Sequence, residues 1–170
     1  MPLDVPAAAA RAAVSVAAGL GVACAEPVVL ADGANVIVHL SPSPVVAKVA
    51  ASTLAVRPDA AWLRRELDIA GFLVRAGAPV LAPSPEVAAV VHRGDGHMMS
   101  FWTYVPPSGA GRPDEAVIGS MLRDLHAVLR SYPVPSRNSP RWQTSRRSWR
   151  GRGPRSARAT WPCWPRPSAG

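Results

Sequence analysis

The sequence predicts an α+β domain followed by a tail that has no core of its own. Three observations carry this reading. Short β-branched runs separated by turn residues fill the stretch from Pro27 to Ala50 and recur between Glu86 and Val105. Apolar residues at helical spacing appear in three other stretches, near residues 6–18, 59–76 and 114–130. From Ser136 to the last residue both patterns stop. The chain of 170 residues is long enough for one domain with a sizeable core.

The first helix is expected over Pro6–Ala18, from its alanines, with Gly19 or Gly21 ending it. Three strands should follow, Pro27–Leu30, Val36–Leu40 and Val45–Ala50. They are broken by Asp32-Gly33-Ala34-Asn35 and by Ser41-Pro42-Ser43-Pro44. Connections this short cannot cross a sheet, so the three strands form an antiparallel meander. Pro58 and Asp59 open a second helix, whose apolar face is Leu63, Leu67, Ala70, Leu73 and Val74, and Gly77 with Pro79 closes it. After a Pro-rich link (Pro79–Pro85), the runs Glu86–His92 and His97–Val105 flank Arg93-Gly94-Asp95-Gly96. That reads as a hairpin around a four-residue turn. A loop, Pro106–Pro113, leads to a third helix with Pro113 at its first position, acids in its first turn and Arg130 in its last. Val117, Ile118, Met121, Leu122, Leu125 and Leu129 form the stripe expected to be buried.

Charge separates body from tail. The net charge is +8, but residues 1–135 hold 10 Lys and Arg against 11 Asp and Glu, whereas residues 136–170 hold nine Arg and no acid. The tail also lacks Leu, Ile, Val, Met, Phe and Tyr, and 27 of its 35 residues are Arg, Ser, Pro, Trp or Gly. Such a segment buries too little apolar surface to offset its chain entropy, and it reads as disordered. Its Arg and Trp residues could grip RNA through phosphate contacts and stacking, but the reading favoured here gives it no selected role. Cys24 and Cys163 form neither a disulfide framework nor a metal-binding spacing. The apolar run ending in Ala23-Cys24-Ala25 resembles a signal-peptide cleavage site, yet Asp4 precedes the lone Arg11, so a cytoplasmic helix is the expectation. The run is too short and Ala-rich to span a bilayer.

Candidate chemistry centres on Lys48, the only lysine of the chain, set in an apolar strand. A desolvated ammonium calls for a carboxylate. Glu66 lies beside the inward stripe of the next helix, between Leu63 and Ala70. The alternative is that Lys48 snorkels to solvent and Glu66 marks the edge of the stripe.

Three segments, "DGANVIVHLSPSPVVAKV", "WLRRELDIAGFLVRAGAPVLAPS" and "MMSFWTYVPP", together with "LRDLHAVL", resemble in order and spacing the aminoglycoside phosphotransferase family, which includes choline- and homoserine-kinase-like members. The resemblance covers about residues 8–135. It implies a protein-kinase-like small lobe over residues 1–106, a five-stranded antiparallel sheet with one packed helix. A linker and the first large-lobe helix would occupy 107–135, and the disordered basic tail 136–170. It implies ATP-dependent phosphoryl transfer to a small-molecule hydroxyl, with ATP and magnesium as cofactors, a nucleotide and a small acceptor as partners, a cytoplasmic location, and neither membrane nor nucleic acid as a partner. By the same resemblance Lys48 contacts the nucleotide phosphates and Glu66 orients it. Asp32–Asn35, with Asn35, forms the turn over the phosphates. Phe101–Val105, with Trp102 and Tyr104 among the cofactor-binding residues, is the hinge, whose backbone groups read the adenine edge.

One motif invites a catalytic reading and does not sustain it. "HRGDGH" holds a His, a Gly and an Asp, but in the family a His-Gly-Asp loop lies beyond the Leu-His helix and is followed five residues later by Asn. Here the motif precedes the hinge, carries an inserted Arg93, and has Ser100 at that fifth position. It reads as a hairpin turn, the Arg-Gly-Asp adhesion reading is set aside, and His126 reads as a packing residue. No acid follows Asp124, so neither the catalytic nor the magnesium-binding Asp of the family is present. The expectation is an inactive, truncated or frameshifted phosphotransferase product; the rivals are a non-enzymatic nucleotide-binding or interaction module and RNA binding through the tail. A one-base shift near the codon for Ser136 is expected to restore a leucine-rich sequence with His-Gly-Asp and a downstream Asn. Sequencing the DNA in all frames checks this, and a frame set without such a motif would make the tail native.

Overall fold

A computed structural model describes residues 4–51, 59–107 and 114–133. It is α+β, an open five-stranded antiparallel sheet with three helices. The elements, in chain order, are α1 (Val5–Gly19), β1 (Cys24–Ala31), β2 (Asn35–Pro42), β3 (Val45–Ala50), α2 (Ala61–Arg75), β4 (His92–Gly94), β5 (His97–Thr103) and α3 (Glu115–Leu129). The strand order is β1-β2-β3-β5-β4, so β3 lies at the centre. Residues Met1–Val134 form one compact unit. The expected tail, residues 136–170, and the opening Pro58 and Pro113 lie outside the described residues.

Alternation along the strands separates two faces. On one, Val36, Val38 and Leu40 of β2, Val45, Ala47 and Val49 of β3, and Met99 and Phe101 of β5 form the main core. Helix α1 covers this face with Ala9, Ala12, Ala13 and Ala17, all fully buried. Alanines suit the position because they favour helix and let its backbone come close to the sheet. The expectation of one packed helix is therefore too few. The N-terminal helix supplies the larger core, and the weak hydrophobicity of its alanines concealed that from the sequence. On the opposite face a smaller cluster joins Ala50, Met98, Ala60 and Leu63, with Trp62 and Val91 against it. Helix α2 presents Leu63, Leu67, Ala70 and Leu73 inward, as expected; Val74 is exposed.

Helix ends follow their caps. The Asp4 carboxylate accepts from the Ala7 N–H (3.1 Å), and that of Asp114 from the Ala116 N–H (2.8 Å). Gly21 and Gly77 take left-handed conformations just past α1 and α2.

The β4–β5 hairpin differs from expectation in size. Its turn is Asp95-Gly96 alone, both with positive φ, and Gly94 still pairs with His97. Two left-handed residues form the tight turn whose twist matches the flanking strands. The stretch Glu86–Val91 is not a strand. The other half of β5 is instead flanked by the Pro-rich link, where Thr103 donates to the Ala82 carbonyl (3.0 Å) and Ser84 to that of Phe101 (3.1 Å).

The largest correction concerns α3. None of its residues is buried, and Val117, Ile118, Met121 and Leu122 are all exposed. Its neighbour among the described elements is α2, and an edge contact between Phe72 and Tyr132 (5.2 Å) ties its C-terminal end down. The apolar spacing is present, but no described layer covers it.

Gly94 is the most tightly enclosed of the described glycines. A Cβ there would sit 2.3 Å from Val16 Cγ2, because α1 passes directly over β4. Gly94→Ala is expected to cost about 1–3 kcal/mol through overpacking, while Gly33→Ala, which meets open space, should change stability far less. Urea unfolding of both variants checks this, and equal midpoints would remove α1 from its assigned place.

Candidate functional site

Lys48 sits on the α2 side of β3, opposite Ile37 of β2 and Ser100 of β5. Its neighbours along β3, Ala47 and Val49, belong to the α1 core, so strand geometry alone turns the ammonium toward α2. There it forms an ion pair with Glu66 Oε1. Both side chains keep partial contact with solvent, at 21% and 35% exposure. The pair therefore orients the ammonium more than it stabilises the fold. The second carboxylate oxygen, Oε2, and the indole Nε1 of Trp62 are buried without a hydrogen-bond partner among the described residues. The Trp62 ring lies 5.9 Å from Lys48 Nζ, at the outer limit of a cation–π contact.

A cleft of about 370 Å³ opens beside this pair. Its lining is largely apolar: Leu30 of β1, Ile37 of β2, Val46 of β3, and Leu81, Thr103 and Val105 from the link and the end of β5. Lys48 and Glu66 supply its charged end, and Trp102 and Tyr104 complete the wall. The two aromatics are held from behind. Trp102 Nε1 donates to Ser100 Oγ (2.9 Å), and the Tyr104 ring stacks on His39, with centroids 3.7 Å apart and planes 13° apart. His39 is itself bonded through Nε2 to the Ser43 carbonyl (3.0 Å).

The segment leaving β5 has little spare hydrogen-bonding capacity. Thr103 gives its N–H to Ala82 and Tyr104 gives its N–H to Pro44 (2.9 Å). The Val105 N–H is the first of the segment with no bond to another described residue, and Val105 lines the cleft. A volume of this size with apolar walls and a cation at one end suits a flat heterocycle joined to an anionic group.

Of the residues singled out from the sequence, Lys48, Glu66, Trp102 and Tyr104 come together around this cleft, and Asn35 does not line it. Asn35 opens β2 opposite Ala50, two positions from the lining residue Ile37. Sequence reasoning missed Leu30, Ile37, Val46 and Leu81. Val46 was recoverable, since it shares the face of Lys48 two residues away; Leu81 sits in irregular chain with no periodic signal. "HRGDGH" lies at the turn of the β4–β5 hairpin, and its histidines bond to backbone carbonyls, His92 Nε2 with Ala88 (3.1 Å) and His97 Nδ1 with Asp95 (2.8 Å). Burial pushes the Cys24 thiol above its ordinary range, which disfavours a reactive thiolate. No group of three or more His, Cys, Asp or Glu side chains that could hold a metal ion occurs among the described residues. Among them, too, no helix is long and apolar enough to cross a membrane.

Comparison with protein-family models, with curated proteins and with solved structures finds no match to this chain.

The ion pair can be tested apart from any ligand. Lys48→Met should leave the Glu66 carboxylate facing a half-buried site alone, whereas the Lys48→Met/Glu66→Gln double variant removes both charges. The double variant is expected to be less destabilised than the sum of the two singles, with a coupling of about 0.5–1 kcal/mol. A urea double-mutant cycle measures it, and simple additivity would mean that the two side chains do not interact in solution.

Proposed function

We propose that this chain carries the nucleotide-binding half of a phosphotransferase site of the aminoglycoside phosphotransferase and choline-kinase type. The observation that carries the reading is the Lys48–Glu66 pair at the charged end of an apolar cleft. In this arrangement the base lies among Leu30, Ile37, Val46 and Leu81, with the Val105 N–H at its edge. Lys48 meets the phosphates. Glu66 holds the ammonium in place, so that less side-chain freedom is lost on binding. Trp102 and Tyr104, fixed by Ser100 and His39, keep the wall in position before the nucleotide arrives.

The residues present fit the nucleotide better than they fit magnesium. A metal-bridged triphosphate needs carboxylates beyond the one already paired with Lys48, and the sequence holds no acid after Asp124. No step is therefore assigned to the metal here. Positioning of the acceptor hydroxyl likewise has no residue assigned to it in this chain. The acceptor class proposed, a small-molecule alcohol, rests on the sequence resemblance, and so does a cytoplasmic setting.

A second reading has its own observation. The nine Arg and four Trp of residues 136–170, without a single acid, would bind RNA electrostatically. Salt-dependent RNA binding lost on removal of that segment would favour it.

ATP binding by the purified chain is expected to be submillimolar at best, roughly −4 kcal/mol or a little better, and to weaken in Lys48→Ala. Transfer of radiolabelled γ-phosphate to aminoglycosides, choline or homoserine, assayed with magnesium, should stay at background. Turnover that disappears in Lys48→Ala would show that the missing carboxylates are supplied another way. ATP affinity unchanged by Lys48→Ala would overturn the site itself.

A further inference from the structure

The proposed site makes no use of the apolar stripe of α3. Val117 (54% exposed), Ile118 (40%), Met121 (43%) and Leu122 (48%) run along it, and Leu125, Val128 and Leu129 continue it toward the C-terminal end, half-buried or exposed only in part. Contiguous exposed apolar surface of this kind marks an interaction site. The tail of the chain is a poor occupant, because residues 136–170 hold no Leu, Ile, Val, Met or Phe to interdigitate with a leucine-rich ridge.

The order of residues along the stripe points to another occupant. Reversed about Arg123, Val117 falls on Leu129, Ile118 on Val128, and Met121 on Leu125, so three of the apolar pairs mirror one another in sequence, while Leu122 falls on Asp124. At about 100° per residue, Arg123 itself lies half a turn away from the stripe, so its charge does not meet its own copy at the crossing. Antiparallel alignment also brings Asp114 and Glu115, at the acidic start of one helix, level with the end of the other that carries Arg130. The helix dipoles then oppose each other favourably. A symmetric interface must be complementary to itself, and this one is.

We propose that α3 is a homodimerisation surface, on which a second copy of this chain docks antiparallel about a two-fold axis near Arg123. Met121 then packs against Leu125 of the partner subunit, and Val117 lies level with Leu129 of the partner subunit across the seam. A 15-residue helix is about 22 Å long, so the pair buries roughly 1,000 Å² in total, in the range of weak, reversible interfaces. Dissociation in the range of about 10–500 µM follows. The surface is independent of the cleft, and dimerisation needs no nucleotide.

The test is sedimentation equilibrium of the full chain, nuclease-treated and in 0.5 M salt so that the basic tail is screened. Wild type should move from monomer to dimer across about 5–500 µM. Met121→Glu and Leu125→Arg should each remain monomeric, with at least a tenfold loss of affinity. Their unchanged thermal unfolding would show that the sheet is intact, as the exposure of the stripe leads one to expect. An equimolar mixture of the two variants should recover association, because residue 121 of each protomer faces residue 125 of the other. A wild-type chain that stays monomeric at 500 µM, or that dimerises as well with Met121→Glu, would overturn the proposal. Dimers of wild type that the mixed variants fail to restore would overturn the antiparallel register.

Discussion

Every side chain of strand β3 except Lys48 is buried, and the rest of the molecule is arranged around that constraint. It pairs on one edge with β2 and on the other with β5. One set of its side chains, Val45, Ala47 and Val49, enters the core under α1; the other set, Val46, Lys48 and Ala50, faces α2 and the cleft. A lysine in such a strand cannot choose its direction. Its odd or even position determines which face carries the charge, and a one-residue slip would drive the ammonium into the alanine-lined core. Glu66 answers that charge from α2, and the cleft takes its polarity from the two together.

The two helices on the sheet do different work. Helix α1 closes one face with small residues and close approach, tight enough that Gly94 of β4 must lack a side chain. Helix α2 covers only part of the opposite face, since Leu63 reaches Ala50 and Met98 at one end while half-buried Ile37 and buried Val46 line the cleft. The cleft is the uncovered part of that face. Its far wall comes from the chain leaving β5, pinned to the β2–β3 turn by the Tyr104 N–H to Pro44 and by the His39–Tyr104 stack. One face is thus built for stability and the other for access.

Sequence pattern accounts for most of the elements. Strand-like runs between turn residues located β1, β2, β3 and β5, helical spacing located α2 and α3, and the Gly-rich stretch Arg93–Gly96 marked the hairpin, though its turn is two residues shorter. The pairing of Lys48 with Glu66 was also legible, because a lone lysine in an apolar strand and a carboxylate beside an apolar helical stripe each need a partner. What pattern concealed had physical causes. Alanines carry too little hydrophobicity to advertise a buried helix, so the weight of α1 in the core did not show. The isolated bridge between Pro83 and Trp102 is a pairing of irregular chain with a strand and leaves no periodic trace.

By itself the sequence determined the α+β class, the antiparallel meander, the need of Lys48 for a carboxylate and the absence of a leucine-rich segment after Ser136. These follow from local rules: side-chain alternation, helical spacing, turn geometry and composition. Tertiary structure alone decided which side of the sheet each helix covers, that Asn35 stands apart from the cleft while Leu30 and Leu81 line it, and that the stripe of α3 lies open. Burial is a property of neighbours, and an apolar ridge reads the same in sequence whether or not another layer packs upon it.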